Sequence, residues 1–172
     1  MIYTPSIRTF ASHEWRTYKA LRLRALADSP DAFGSTLAEE EGRPNTEWSS
    51  RLASGVDSRL DLPLLAVVDS EPTGLAWGRI ESSNLDVANL YQMWVAPNYR
   101  GHGVGQMLLK AVIDWAKAAN VCYLALGVTC GENPAMRLYL RAGFKPIGEP
   151  EALRPGSELL AHAMRLPLRT AG

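Results

Sequence analysis

The sequence predicts an α/β (α+β) fold in which one mixed sheet is covered by helices. Short apolar segments rich in β-branched and aromatic residues recur between turn signals, at 62–68, 75–80, 87–95 and 121–129. Two stretches instead carry their apolar residues at helical spacing. One is Trp15, Tyr18, Leu21, Arg22, Ala25 and Leu26, and the other is Leu108, Leu109, Val112, Ile113 and Ala116. Early strands follow one another directly, whereas later strands alternate with helices. That order makes a meander joined to crossover units in one sheet.

Ile2 to Phe10 reads as the first strand. Ser12 is the expected N-cap of the first helix, which Asp28-Ser29-Pro30 stops. A second helical region runs from about Gly34 to Leu52 and is broken near Gly42-Arg43-Pro44-Asn45. The acidic run Glu39-Glu40-Glu41 reads as a solvated helix face, with attraction of a cationic substrate as the functional alternative. Leu62–Val68 and Leu75–Ile80 form a hairpin around a turn at 69–74. After a turn at Ser82-Ser83-Asn84 come the strand Val87–Val95, the helix Val104–Ala118 and the strand Val121–Thr129. A short helix Asn133–Ala142 ends at Gly143, as a C′ glycine dictates. Phe144–Ile147 is a short strand, Glu149–Ser157 a loop and Leu159–Leu166 the closing strand. Leu168–Gly172 is expected as a loose tail. No repeat, low-complexity tract or linker divides the chain, so residues 1–172 read as one domain.

Eighteen basic residues balance eighteen acidic ones, against the basic excess of nucleic-acid proteins. With 47% hydrophobic and 21% charged residues, the composition is that of a globular domain and not of a disordered chain. Cys122 and Cys130 suggest a buried, reduced pair, and no Cys or His spacing suggests a metal site. The N-terminus shows no basic region followed by an apolar core, and no apolar run approaches the roughly 20 residues of a membrane span. The default expectation is a soluble cytoplasmic protein, with no membrane and no nucleic acid among its partners.

The most informative stretch is Arg100-Gly101-His102-Gly103-Val104-Gly105, a glycine-rich turn between a strand closed by Pro97 and a helix. Such a turn presents unpaired N–H groups at the positive end of a helix dipole, a good seat for a diphosphate. The NTPase P-loop requires a lysine and a hydroxyl after its last glycine, and Gln106-Met107 supply neither. The dinucleotide fingerprint requires glycine at Gln106 and an acid about 20 residues on, and both are missing.

A third pattern, Arg/Gln-x-x-Gly-x-Gly/Ala, fits Arg100, Gly103 and Gly105. Here the chain resembles the GNAT superfamily of acyl-CoA-dependent N-acetyltransferases. The resemblance covers Met93-Trp94-Val95-Ala96-Pro97-Asn98-Tyr99-Arg100-Gly101-His102-Gly103-Val104-Gly105. About 30 residues later it resumes in Asn133-Pro134-Ala135-Met136-Arg137-Leu138-Tyr139-Leu140-Arg141-Ala142-Gly143-Phe144. The element order of nearly the whole chain agrees. The resemblance implies a mostly antiparallel sheet of about seven strands flanked by four helices. It also implies acetyl-CoA as co-substrate, with no metal, where the parallel strands Val87–Val95 and Val121–Thr129 splay apart.

The cofactor-binding residues it implies are Met93, Trp94, Val95, Arg100, Gly101, His102, Gly103, Val104, Gly105, Gln106 and Asn133. The N–H groups from Gly101 to Gln106 would hold the pyrophosphate, with Arg100 adding charge or packing locally. The Met93–Val95 backbone would pair with the pantetheine arm and polarise the thioester carbonyl. Losing an oxyanion donor of that kind costs roughly 100- to 1000-fold in rate. Along this strand, side chains 91, 93 and 95 should face one way and 90, 92 and 94 the other. Trp94 fills core or lines the acceptor pocket. Asn133 reaches the CoA arm, caps its helix, or does both.

Tyr139 matches the family's general acid, with a core tyrosine as the alternative. Many relatives carry a carboxylate on the strand before the loop, where this chain has Tyr91 and Gln92. Glu39, Glu40, Glu81 and Asp86 are other carboxylates, and none is singled out as a base. The implied activity is acetyl transfer to a primary amine of a small molecule or peptide. A non-catalytic acyl-CoA-binding or sensing module is the alternative. The identity of the amine is not legible, and dimers frequent in the family leave a homodimer open.

Overall fold

The computed structural model describes residues 3–169 of the 172-residue chain. Ile2 of the expected first strand and Thr170–Gly172 of the expected tail lie outside them. The order is β1 (Pro5–Thr9), α1 (Trp15–Asp28), α2 (Leu37–Glu41), α3 (Asn45–Asp57), β2 (Asp61–Val68), β3 (Glu71–Ile80), β4 (Val87–Val95), α4 (Val104–Ala118), β5 (Tyr123–Thr129), α5 (Pro134–Ala142), β6 (Lys145–Ala152) and β7 (Leu160–Pro167). The seven strands form one sheet in the order β1-β2-β3-β4-β5-β7-β6, and only β4–β5 is parallel. The break at Gly42–Pro44 divides the second helical region in two, so the described residues form five α-helices where four were expected.

Strand alternation sends residues to two cores. Leu64, Ala66 and Val68 of β2 pack with Val104, Leu108 and Val112 of α4 on one face. Leu65, Leu75 and Trp77 pack with Tyr18, Leu21, Trp48 and Leu52 of α1 and α3 on the other. Two glycines make room for tryptophans. A Cβ on Gly55 would lie 2.3 Å from the Trp77 ring, and one on Gly78 would lie 2.8 Å from Trp115.

Several local expectations are corrected. Ser12 lies in a 3-10 turn, Ser12–Glu14, and its side chain makes no cap. The Glu14 carboxylate instead accepts the Ala11 N–H at 2.8 Å and pairs with Arg8 at 2.7 Å. β3 begins at Glu71 because Asp69 and Ser70 take φ of 51° and 68°, a two-residue hairpin turn made without glycine. β6 runs on through Pro150 to Ala152, where a loop was expected. It is an edge strand, so a residue without an N–H does no harm there. Glu40 is buried and held by Arg43 at 3.1 Å and Arg51 at 3.2 Å, so the acidic run is not a uniformly solvated face. Cys122 and Cys130 are free as expected, but half-buried.

Candidate active site

The register of β4 departs from simple alternation. Leu75 pairs with Trp94 but Trp77 pairs with Tyr91, so three steps along β4 span two along β3. Gln92 takes φ of 56° at this bulge, and the Tyr18 hydroxyl donates to its Oε1 at 2.8 Å. The extra residue reverses the phase of the strand. Ala88 and Leu90 before it, and Met93 and Val95 after it, all meet the α4 core. Trp94 turns to the α1 core. The expected grouping of 91, 93 and 95 against 90, 92 and 94 is therefore corrected.

The parallel pairing of β4 with β5 covers only Val87–Asn89 against Tyr123–Ala125. Beyond it the strands part, and β4 from Leu90 onward has an unpaired edge. A cleft of about 1110 Å³ occupies the opening. It is lined by Met93, Trp94, Val95, Arg100, Gly101, Gly103, Val104, Gly105, Gln106, Asn133 and Tyr139, so eleven of the twelve expected site residues meet in one place. His102 does not line it; its ring packs on Tyr3 at 4.4 Å between centroids.

Gly101 and Gly103 have φ of 82° and 83°, with open space where a Cβ would stand. Gly103 is the N-cap of α4, and the first bond into the helix runs from the Met107 N–H to its carbonyl at 3.0 Å. Among the described residues no protein acceptor takes the N–H groups of residues 101–106. This leaves a row of donors at the positive end of a 15-residue helix, and Gly101, Gly103, Val104, Gly105 and Gln106 of that row line the cleft. Gly103→Ala should cost about 1–2 kcal/mol through its left-handed backbone and weaken binding of a diphosphate ligand, as thermal melts with and without CoA will read.

The Arg100 side chain is engaged elsewhere. Its Nη2 meets Asp28 Oδ2 at 2.6 Å and its Nε donates to the Val95 carbonyl at 2.8 Å. Trp94 Nε1 donates to the same Asp28 oxygen at 3.0 Å. Asp28 thus ties the end of α1 to the end of β4. Hydrogen bonds from Ser29, Trp94 and Arg100 hold its carboxyl down at about 2. Glu14 is held at about 2 chiefly by Arg8. Both folded values lie below the unfolded ones, so their stabilisation is complete above about pH 4–5 and lost toward pH 2. The melting temperature should fall across that window, and Asp28→Asn should flatten part of the fall.

Asn133 caps α5, its Oδ1 accepting the Met136 N–H at 2.9 Å, while Nδ2 donates to the Thr129 carbonyl at 3.0 Å. At the other end the Gly143 N–H bonds the Leu140 carbonyl and the Phe144 N–H bonds the Tyr139 carbonyl, with Gly143 at φ 101°. This double closure brings the Phe144 ring edge-on to Tyr139 at 5.7 Å. Tyr139 is buried, and burial pushes its hydroxyl well above the usual phenol value. Among the described residues its hydroxyl has no hydrogen-bond partner.

The sequence points to Phe33–Trp48 and the loop Glu149–Ser157 as shaping the acceptor pocket, and of these Phe33 alone lines the cleft; Asp28, Thr129 and Cys130 also line it and were not expected. The segment Pro30–Phe33 lines the cleft and is strapped down by two side-chain hydrogen bonds. Thr129 donates to the Asp31 carbonyl at 2.5 Å, and Arg154 donates to the Phe33 carbonyl at 2.6 Å. Nothing local in the sequence signals contacts that span 98 and 121 residues. Glu39, Glu40, Glu81 and Asp86 do not line the cleft. Among the described residues no group of three or more His, Cys, Asp or Glu is placed to hold a metal. None of their helices is long and apolar enough to cross a membrane.

Residues 13–144 match the profile of the Acetyltransferase (GNAT) family. The chain belongs to that family. Two groups of curated relatives illustrate its range. Streptothricin acetyltransferase of Streptomyces lavendulae is 31% identical over 129 residues, 74% of this chain and 61% of the relative. Mycothiol acetyltransferase of Clavibacter michiganensis subsp. michiganensis is 27% identical over 140 residues, 81% of this chain and 42% of the relative. This GNAT chain thus spans about two-fifths to three-fifths of the length of these relatives. Its fold is that of YncA from Salmonella typhimurium, solved with its cofactor acetyl-CoA. The TM-score is 0.79 at 17% identity, covering 98% of this chain and 96% of the other.

Proposed function

We propose that this GNAT chain transfers an acetyl group from acetyl-CoA to a primary amine of a small molecule or peptide. The observation that carries the reading is the meeting, in one cleft, of free N–H donors at 101–106, an unpaired β4 edge and an unpartnered phenol. The diphosphate takes the donors of the loop. The pantetheine arm lies along β4 as an added strand, which an unpaired sheet edge accepts readily. Asn133 holds the start of α5 against the arm. Arg100 and Trp94 act at one remove, through Asp28, by fixing the end of β4.

The neutral amine attacks the acetyl carbon. The C–N bond forms, the C–S bond breaks, and a backbone N–H of Met93–Val95 stabilises the oxyanion. Tyr139 gives its proton to the departing sulfur and recovers one from solvent, to which the new amide nitrogen loses its surplus proton. Burial keeps the phenol protonated throughout the working range, so a proton is in place when the thiolate departs, while the same upward shift makes it a weaker acid than an exposed phenol. A cytoplasmic location and a single catalytic domain over residues 1–172 accompany this reading.

Thiol release from acetyl-CoA, followed with a broad amine panel, tests it. An acceptor-dependent burst of free thiol is expected. Binding of acetyl-CoA without release for any amine would leave the acyl-CoA-sensing module as the better account.

A further inference from the structure

The bulge in β4 carries strain without a glycine to absorb it. Gln92 takes φ of 56° inside a strand, and a non-glycine residue keeps such a backbone only where its surroundings hold it there. Tyr18 supplies the hold. Its hydroxyl donates to Gln92 Oε1 at 2.8 Å, and among the described residues the Gln92 side chain makes no other hydrogen bond. Tyr18 is wholly buried, with the rings of Phe10, Trp48 and Trp77 at 5.7, 5.6 and 5.5 Å. Enclosed by three aromatic rings, its hydroxyl is a fixed point.

Tyr18 also reads the register. Trp77, on which its ring packs, is the β3 partner of Tyr91, the residue just before the bulge. One side chain of α1 thus touches both β3 and β4 where their pairing shifts. The position of that shift matters for the site. Successive residues of a strand point their N–H groups to opposite edges and their side chains to opposite faces. A slip of one residue would exchange the N–H groups on the open edge for those facing β3, and turn Met93 and Val95 away from the α4 face.

From this geometry we propose that Tyr18 is a positioning residue for acyl transfer: by pinning Gln92 it sets which β4 N–H meets the thioester carbonyl. Tyr18 does not line the cleft, so it acts through Gln92 and not on the donor itself. The inference rests on the acetyl-transfer reading above, in which an N–H of Met93–Val95 is the oxyanion donor.

Infrared difference spectra of acetyl-CoA, isotope-labelled at the acetyl carbonyl and bound to the full chain, test this without an acceptor. A hydrogen bond to the carbonyl lowers its stretching frequency below that of the free thioester. The unaltered chain should show that lowering, and Tyr18→Phe should return the band most of the way to the free value. In thiol release with the amine panel, Tyr18→Phe should lower kcat about tenfold or more, with KM for acetyl-CoA within about threefold. Affinity for CoA, which has no acetyl carbonyl, should stay within about twofold in every variant, which verifies that each is folded. Gln92→Gly takes the left-handed backbone without strain but loses the side chain that Tyr18 holds, and should give a similar loss. Adding Tyr18→Phe to it should change neither readout by more than about twofold, because the path through Gln92 is already cut. A band shift that survives Tyr18→Phe, effects of the two substitutions that multiply, or a loss of CoA affinity that parallels the loss of turnover overturns the inference and leaves the acetyl-transfer reading standing. An unshifted band in the unaltered chain overturns the oxyanion placement and the inference with it. A Tyr18-dependent shift with no thiol released for any amine would instead overturn the acetyl-transfer reading and leave the positioning role standing.

Discussion

Tyr139→Phe is expected to lower turnover about 100-fold or more, within the range of general acid catalysis, while the acetyl-CoA dissociation constant changes by less than about twofold. The substitution removes one oxygen and leaves the ring. The ring carries the packing, since it meets Phe144 edge-on at 5.7 Å and is almost wholly buried. The hydroxyl has no partner to lose among the described residues, so no buried group is orphaned by its removal. A fall in kcat with equal KM for acetyl-CoA and an unchanged melting temperature would assign the loss to proton donation. Unchanged turnover would remove Tyr139 from the mechanism and leave it as a core tyrosine. Replacing Tyr139 by Ala is less informative, because the cavity alone costs about 3–5 kcal/mol for a large aromatic.

The second large effect concerns the fold. Gly55→Ala is expected to destabilise by about 1–3 kcal/mol or more, because a Cβ there stands 2.3 Å from the Trp77 ring. Trp77 has little freedom to retreat. Its Nε1 donates to Asp61 at 2.8 Å, and Tyr18 packs on it at 5.5 Å. In an exposed helix the same change would stabilise by up to about 1 kcal/mol, so the sign itself tests the packing. At about 2–4 °C per kcal/mol for a domain of this size, thermal denaturation should show a drop of roughly 3–10 °C. A rise in melting temperature would mean that α3 does not sit on Trp77 as described.

The parts of this molecule that were legible in the sequence are those governed by nearby residues. Val87–Val95 and Val104–Ala118 carry strong periodicity and hard stops, Pro97 and Gly103 among them, and their bounds agree with the structure. Gly143 announced the end of α5 for the same local reason. What escaped was set by distant partners. Nothing in Tyr91-Gln92-Met93 marks a bulge; it follows from pairing with β3 and from the hydroxyl of Tyr18. Whether Arg100 adds charge to the loop or packs locally is decided only when Asp28, 72 residues earlier, is brought against it. Pro150 reads as a strand breaker until its strand proves to be the edge. The site's donors were readable, because a glycine turn before a helix exposes them whatever surrounds it. Its walls were not, because they include Asp28 at the end of α1, the segment Pro30–Phe33 and Leu159, all distant in sequence from the loop.

The short parallel seam between β4 and β5 has a mechanical meaning. Three residue pairs join the four-stranded half of the sheet to the three-stranded half. The halves are otherwise held together by helices and by the strap at Pro30–Phe33. Seen this way the sheet is a book with a weak spine, and in the proposed function the donor molecule is the stitching. A ligand laid along the open edge of β4 replaces inter-strand bonds that the chain itself does not make. Its binding therefore adds to the cohesion of the sheet as well as filling a pocket. On the proposed reading conformational stability rises with donor concentration, and thermal melts with and without acetyl-CoA read that coupling.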